Sequence, residues 1–436
     1  MVLAAAVIVM AWGCDAGIPS KAGGPPEALP TQAKETGLGS QDNRLVIKVA
    51  SPMSDDKRLD LMRQTIRIFE RKYPDIRVDY MHDYQYDALK LAFSANEAPD
   101  VVYLDDLNQQ IFERSGYLMN ITEEIQRRRW GDREIEGALE FNNTRTPGSM
   151  YSVPFLMAPV VFYYNKAIFA QLKVRPPQTQ EELSAILEKA KSAGFIPMEN
   201  GLISNFQVLW MLYHYLYAEV SPDDAAAFYY RGEVRDAFKR GMLDAMERIS
   251  QDVRKGYFRP DMDNYDYRSV PLLFAQGKSA MAMDGDWNLP QYEEANFPVG
   301  VFAFPPKRKG DVQPIVNATD VAWALNARLD SAKKAAALDF IDNMLSEEVA
   351  ELWYKGGLTP SVRFDAASVP ISGLKKEMNQ TLSGSSFGFY LDNVIPGMLD
   401  SIQTYTQMLV LGEKTPEQAL DGFLADFRRL KKEAVQ

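Results

Sequence analysis

From Leu45 onward the chain alternates strand-like and helix-like segments, and this alternation constrains the fold more than any other feature. Leu45–Ala50 is a short β-rich run bounded by polar residues. Leu59, Met62, Ile66 and Phe69 then recur at three- and four-residue spacing, which predicts a helix. Ser54, Asp55 and Asp56 offer caps for its start, and Pro74 stops it. Residues 77–81 read as a second strand, 84–95 as a second helix and 100–104 as a third strand, followed by the acidic turn Asp105-Asp106. Strands and helices in strict alternation build a parallel sheet, so the fold class is α/β.

The pattern resumes past the middle of the chain. Residues 160–164 read as a buried strand, and Thr179-Gln-Glu-Glu182 is a capping box that opens a helix through Leu183, Ile186, Leu187 and Ala190. Gly194 closes that helix. Residues 206–255 are helix-rich, and residues 279–283 form a strand leading into Asp284-Gly-Asp-Trp287. A strand at 321–325 and a helix through Ala335, Leu338, Ile341 and Leu345 come next. A last helix begins at Thr415-Pro and carries Leu420, Phe423, Leu424 and Phe427 on one face. With 436 residues, 46% of them hydrophobic, the chain is too long for one typical domain, and two packed lobes are expected. The net charge of −11 is scattered along the chain, which argues against nucleic acid as a partner, because phosphate recognition needs a basic surface.

The apolar run from Leu3 to Trp12 is shorter than the roughly 20 residues that cross a bilayer, and it fits the core of a secretory signal over residues 1–13. Ala11-Trp-Gly-Cys14 resembles a bacterial lipobox, which implies that Cys14, the single cysteine, carries lipid and anchors the protein to a membrane. No Lys or Arg precedes the run, and Trp12 is bulky for a processing site. The other reading of Cys14 is a buried free thiol. Residues 14–43 are rich in Gly, Pro, Ser, Thr and Ala and read as a flexible tether.

Several motifs occur in a telling order. They are Tyr73-Pro-Asp-Ile76 with Ala98-Pro-Asp-Val101; Tyr151-Ser-Val-Pro154 with Tyr163-Tyr-Asn-Lys166 and Pro176-Pro-Gln-Thr179; Gly277-Lys-Ser-Ala-Met281 with Gly285-Asp-Trp287; and Lys333-Lys-Ala-Ala336 with Gly357-Leu-Thr-Pro360. In this order they resemble the extracellular solute-binding proteins, family 1, of ABC importers, the family that includes maltose-binding protein. The resemblance implies a two-lobed periplasmic-binding-protein-like fold with the ligand cleft between lobes. Lobe 1 would hold residues 44–155 and 307–345, and lobe 2 residues 156–306 and 346–436. Crossings would fall near 154–158, 302–306 and 345–356. It also implies a monomer outside the cytoplasm that captures an oligosaccharide by lobe closure and hands it to permease subunits.

A sugar site needs aromatic faces for the apolar patches of a pyranose and planar polar groups for its hydroxyls. Ligands of open α/β sheets sit beyond the carboxyl ends of strands, so loops after strands are the places to look. Trp287 follows such a strand, and the family commonly places a stacking aromatic there. Asp286, Asp105 and Asp106 can each accept from hydroxyls or cap the next helix. Ser54 and Asp55, Phe206, Tyr151, Phe389 and Tyr390 complete the candidates that the resemblance implies. The apolar stretch Leu156-Met-Ala158, where sugar-binding relatives can carry an acidic contact, counts against maltodextrin in particular.

No cofactor and no catalytic residue is expected. His82 and His214 lie far apart without ligand-like spacing, which leaves no pattern for a zinc site or a Ser-His pair. The run Asp261-Met-Asp-Asn-Tyr-Asp266 lacks the Gly and distal Glu of a calcium loop and reads as a solvated turn. Two alternatives stay open: the same fold holding a polyamine, an organic phosphate or a metal chelate, and a secreted glycoside hydrolase or lyase.

Overall fold

A computed structural model describes residues 43–135, 138–141, 148–317, 319–383, 385–388, 390–391 and 394–433. Cys14 and its tether lie outside these residues, as does Phe389. The described residues form twelve strands. In chain order the first six are β1 (Leu45–Ala50), β2 (Ile76–Met81), β3 (Val101–Leu104), β4 (Ser152–Met157), β5 (Val160–Asn165) and β6 (Ile196–Glu199). Then come β7 (Ser279–Gly285), β8 (Val299–Phe302), β9 (Ile315–Val316), β10 (Thr319–Leu325), β11 (Thr359–Pro360) and β12 (Phe387–Gly388). They form a six-stranded sheet in the order β11-β4-β10-β3-β1-β2, a four-stranded sheet in the order β6-β7-β5-β8, and the short pair β12-β9.

Each sheet has its own core. The first carries the helices Asp56–Lys72, Ser331–Met344 and Glu347–Lys355 on one face. Phe69 meets Phe340 edge-on at 5.3 Å, and Trp353 meets Phe155 at 5.2 Å. Leu89, Phe93 and Phe112 cover its other face. The second sheet packs the helix Phe206–Tyr217 and the C-terminal helices Met398–Val410 and Pro416–Glu433 into one core. Val270, Phe274, Tyr292, Leu374 and Met378 form the core on its other side.

Two expected exchanges between lobes fall elsewhere. Val349, Trp353, Leu358 and Val362 belong to the first core, so the chain does not leave it near residue 345. Phe304 and Val316 belong to the second core, so the return comes at Asn317 and not at 302–306. Gly and Pro mark where a chain turns, but which core takes the apolar side chains is decided by packing. The first exchange is at Ala158 and Pro159, between β4 and β5.

Strand direction determines which loops meet. β1, β2 and β3 are parallel, with Ala50 level with Met81 and Val102. β10 is antiparallel to β3 and to β4, with Leu104 opposite Ala322 and Met157 opposite Thr319. One rim therefore gathers the residues just after Ala50, Met81, Leu104 and Met157 with those just before Thr319 and Thr359. In the second sheet Val160 pairs with Gly285, Ala282 lies level with Glu199, and Phe162 pairs with Phe302. Its rim gathers Pro159, the loop after Glu199, Gly285 with the turn after it, and Phe304. Ala158 and Pro159 join the two rims.

Candidate ligand cleft

Trp287 sits where the rims meet. Strand β7 ends at Gly285, and a Cβ at that position would stand inside the Trp287 indole, so the glycine lets the ring fold back over the strand end. The half-buried ring packs against both cores and meets Trp210 edge-on at 5.7 Å. Phe206 and Tyr267 extend the aromatic surface, 4.9 Å apart in an edge contact. Trp287, Pro290 and Glu294 line a cavity of about 260 Å³ together with Asp55, Lys57 and Leu358. A sugar ring needs this pairing of an indole face with charged hydrogen-bonding groups.

The turn that carries Trp287 is held from beneath by Asp284, which is fully buried. Its carboxylate accepts from Gly285 N at 2.8 Å, from Asn288 Nδ2 at 3.0 Å and from Tyr292 Oη at 2.9 Å. Burial pushes this carboxyl up to about 7, opposed by those hydrogen bonds. Tyr292 stacks in parallel on Tyr163 at 3.8 Å, and Tyr163 donates to Gly285 O at 3.0 Å.

Asp286 points away from the cavity into protein. The Thr359 hydroxyl donates to its Oδ2, and the Lys375 ammonium lies 3.4 Å from the same oxygen while donating to Thr359 Oγ1 at 2.8 Å. Its backbone N–H donates to Pro159 O at 3.2 Å. In place of the expected ligand contact or helix cap, Asp286 forms an ion pair with Lys375, and its hydrogen bond with Thr359 ties the Trp287 turn to the first sheet.

The remaining candidates divide. Asp55 caps the helix Asp56–Lys72, accepting from Arg58 N at 2.9 Å, and still lines the cavity, while Ser54 beside it is exposed. Asp105 caps the helix Asp106–Arg114, accepting from Asn108 N at 2.7 Å and Asn108 Nδ2 at 2.9 Å. Asp106 opens that helix. Tyr151 precedes β4, so it stands at the end of the first sheet away from the cleft and packs against the core that includes Phe112, Leu118 and Ala324. Six residues of strand, about 20 Å, separate it from the rim. Phe206 lies on the second rim, and Tyr390 donates its hydroxyl to Ala158 O at 3.3 Å.

Sequence reasoning missed Trp210, Tyr267, Asn317 and Lys375. Tyr267 and Trp210 sit in ordinary helix-forming surroundings, and only the fold brings Trp210 against Trp287 and Tyr267 against Trp210. Among the described residues no group of three or more His, Cys, Asp or Glu side chains gathers as a metal site, and no helix is long and apolar enough to cross a membrane.

The model of the family described as bacterial extracellular solute-binding protein matches residues 55–351. A multiple sugar-binding protein of Streptococcus mutans is 23% identical over 357 residues, 79% of this chain and 79% of that one. Among solved structures, a chitin oligosaccharide binding protein superposes with a TM-score of 0.76 at 21% identity, over 89% of this chain and 99% of its own. RafE in complex with raffinose superposes with a TM-score of 0.72 at 20% identity, over 89% and 100%. Two sheets with separate cores, rims that meet at a connecting peptide, and a family match over most of the chain lead to one conclusion: the protein belongs to the bacterial extracellular solute-binding proteins.

Proposed function

We propose that the protein captures a carbohydrate, an oligosaccharide in particular, between its two lobes outside the cytoplasm and delivers it to the permease subunits of an ABC importer. The observation that carries this reading is Trp287, a half-buried indole that packs on both cores and lines a cavity with Asp55 and Lys57. The names of the relatives support it: one is a multiple sugar-binding protein, and one structural neighbour holds raffinose. Members of the family are binding proteins, and this chain works by binding without catalysis.

The ligand enters the open cleft and lays a sugar face on the indole. Its hydroxyls are then met from the first rim as the lobes approach. Closure results because ligand contacts both rims only in the closed arrangement, and a ligand shifts an equilibrium by its differential affinity for the two states. The protein acts as a monomer, held at the membrane through lipid on Cys14. Fatty-acid labelling that disappears in Cys14→Ser tests that anchor.

A panel of raffinose, stachyose, maltotriose and chitin oligosaccharides tests the ligand class. At about 100 times Kd, binding stabilises the fold by roughly 2.7 kcal/mol, a clear rise in melting temperature. No rise with any member, extended to plant and bacterial polysaccharide fragments, contradicts the carbohydrate reading. Binding that weakens steeply with salt points instead to a charged solute.

A further inference from the structure

The joint between the lobes contains a small hydrogen-bonded bracket. Ala158, which with Pro159 joins β4 to β5, is buried, and both its N–H and its C=O are held by side chains from distant parts of the chain. Asn317 Oδ1 accepts from Ala158 N at 3.0 Å, and Tyr390 Oη donates to Ala158 O at 3.3 Å. Asn317 lies between β9, which packs with the second core, and β10, which belongs to the first sheet. Its own backbone N–H donates to Gly388 O at 3.0 Å, two residues before Tyr390 in the chain. Both peptides that flank Ala158 in the first connection are therefore pinned, one by the second connection and the other by the segment around Tyr390.

The helix that carries Phe206 and Trp210 is tied to the same place. His214 Nδ1 donates to Trp210 O at 2.7 Å, and its Nε2 accepts from Val316 N at 3.3 Å, one residue before Asn317. Burial pushes the His214 imidazole down to about 4, which keeps it neutral with this tautomer.

Because Ala158 N–H needs an acceptor, the Asn317 amide is oriented with Oδ1 toward it, and Nδ2 then faces the interior. Asn317 is 1% exposed, and among the described residues its Nδ2 has no hydrogen-bond partner. A buried donor without an acceptor costs free energy in the present arrangement.

We propose that Ala158 is the pivot of lobe motion and that Asn317 and Tyr390 are positioning residues that restrain it, so that the connections at Ala158 and Asn317 turn together and the open ensemble stays narrow. A narrow ensemble loses less conformational entropy on closure, which raises affinity without any contact to ligand. The inference rests on lobe closure as the mode of capture, and not on the ligand being a sugar.

The test measures interlobe distances in the full chain by electron double resonance. Spin labels are placed at Lys90→Cys in the first lobe and Asn264→Cys in the second, both exposed, in a Cys14→Ser background. Without ligand, Asn317→Ala and Tyr390→Phe each broaden the distance distribution relative to the parent. Affinity for whichever panel sugar the parent binds falls by roughly five- to tenfold in the same variants. A residue that only supports the fold would lower the melting temperature and leave the width unchanged, and an unchanged width in both variants overturns the proposal. Should Asn317→Ala fail to fold, Tyr390→Phe decides alone, since it removes only one hydroxyl from a half-buried side chain. The width is read without sugar, so a panel that contains no binder contradicts the carbohydrate reading and leaves the pivot to be judged separately.

Discussion

The Lys375 ammonium lies 3.4 Å from Asp286 Oδ2, and neither side chain reaches solvent. Lys375 comes from the helix Gly373–Leu382, whose Leu374 and Met378 pack with the second sheet, yet its Nζ also donates to Thr359 on the edge of the first. Burial pushes the Lys375 ammonium down from its usual value, and Asp286 only partly restores it. This pair fixes the residue before Trp287, and through it the angle of the indole.

Breaking one side of a buried ion pair leaves an uncompensated charge, whereas replacing both sides can be close to neutral. Lys375→Met or Asp286→Leu alone is expected to cost about 3–5 kcal/mol in urea denaturation, and the two combined to recover most of the loss. Full additivity of the two single losses would show that the groups do not interact.

Trp287 carries the proposed stacking contact. Trp287→Ala is expected to weaken sugar binding by about 2 kcal/mol, roughly thirtyfold, with Trp287→Phe in between. Gly285→Ala should mimic that loss without removing the indole, because the new methyl occupies the space of the ring. Titration calorimetry on the three variants checks this, and unchanged affinity in Trp287→Ala would remove the indole from the site.

Glu134 is buried beside Ser361, and burial pushes its carboxyl up to about 8 while the Ser361 hydroxyl opposes the shift. In the unfolded chain it titrates near 4.3. Between those values the folded state holds a proton that the unfolded state has released. This group's contribution to stability is therefore full below about pH 4 and falls as pH rises toward 8, by up to about 1.4 kcal/mol per pH unit. Glu134→Gln should flatten the melting profile between pH 5 and 8 and raise the melting temperature at pH 8. A profile identical to the parent would contradict the assignment.

Local physics made much of the fold legible in the sequence. The helix after β1 was readable from Leu59, Met62 and Phe69, and its cap from Asp55, because spacing and capping act within a few residues. The place of Trp287 on the turn after a strand end was readable from Gly285 and the strand before it. Asp286 was not, since its partner stands 89 residues away on another helix. Tyr151 was misplaced for a geometric reason: it lies at the start of a strand whose far end reaches the cleft. The lobe boundaries near 304–316 and 346–362 depended on which core received Val316 and Trp353, a choice made by packing between segments.

Small-angle scattering with and without saturating oligosaccharide tests the central claim most directly, because it reads capture and closure together. At least one member of the panel is expected to bind and to reduce the radius of gyration, while Trp287→Ala at the same sugar concentration does not compact. A protein that binds no carbohydrate, or binds one with no change in dimensions, would contradict capture by lobe closure.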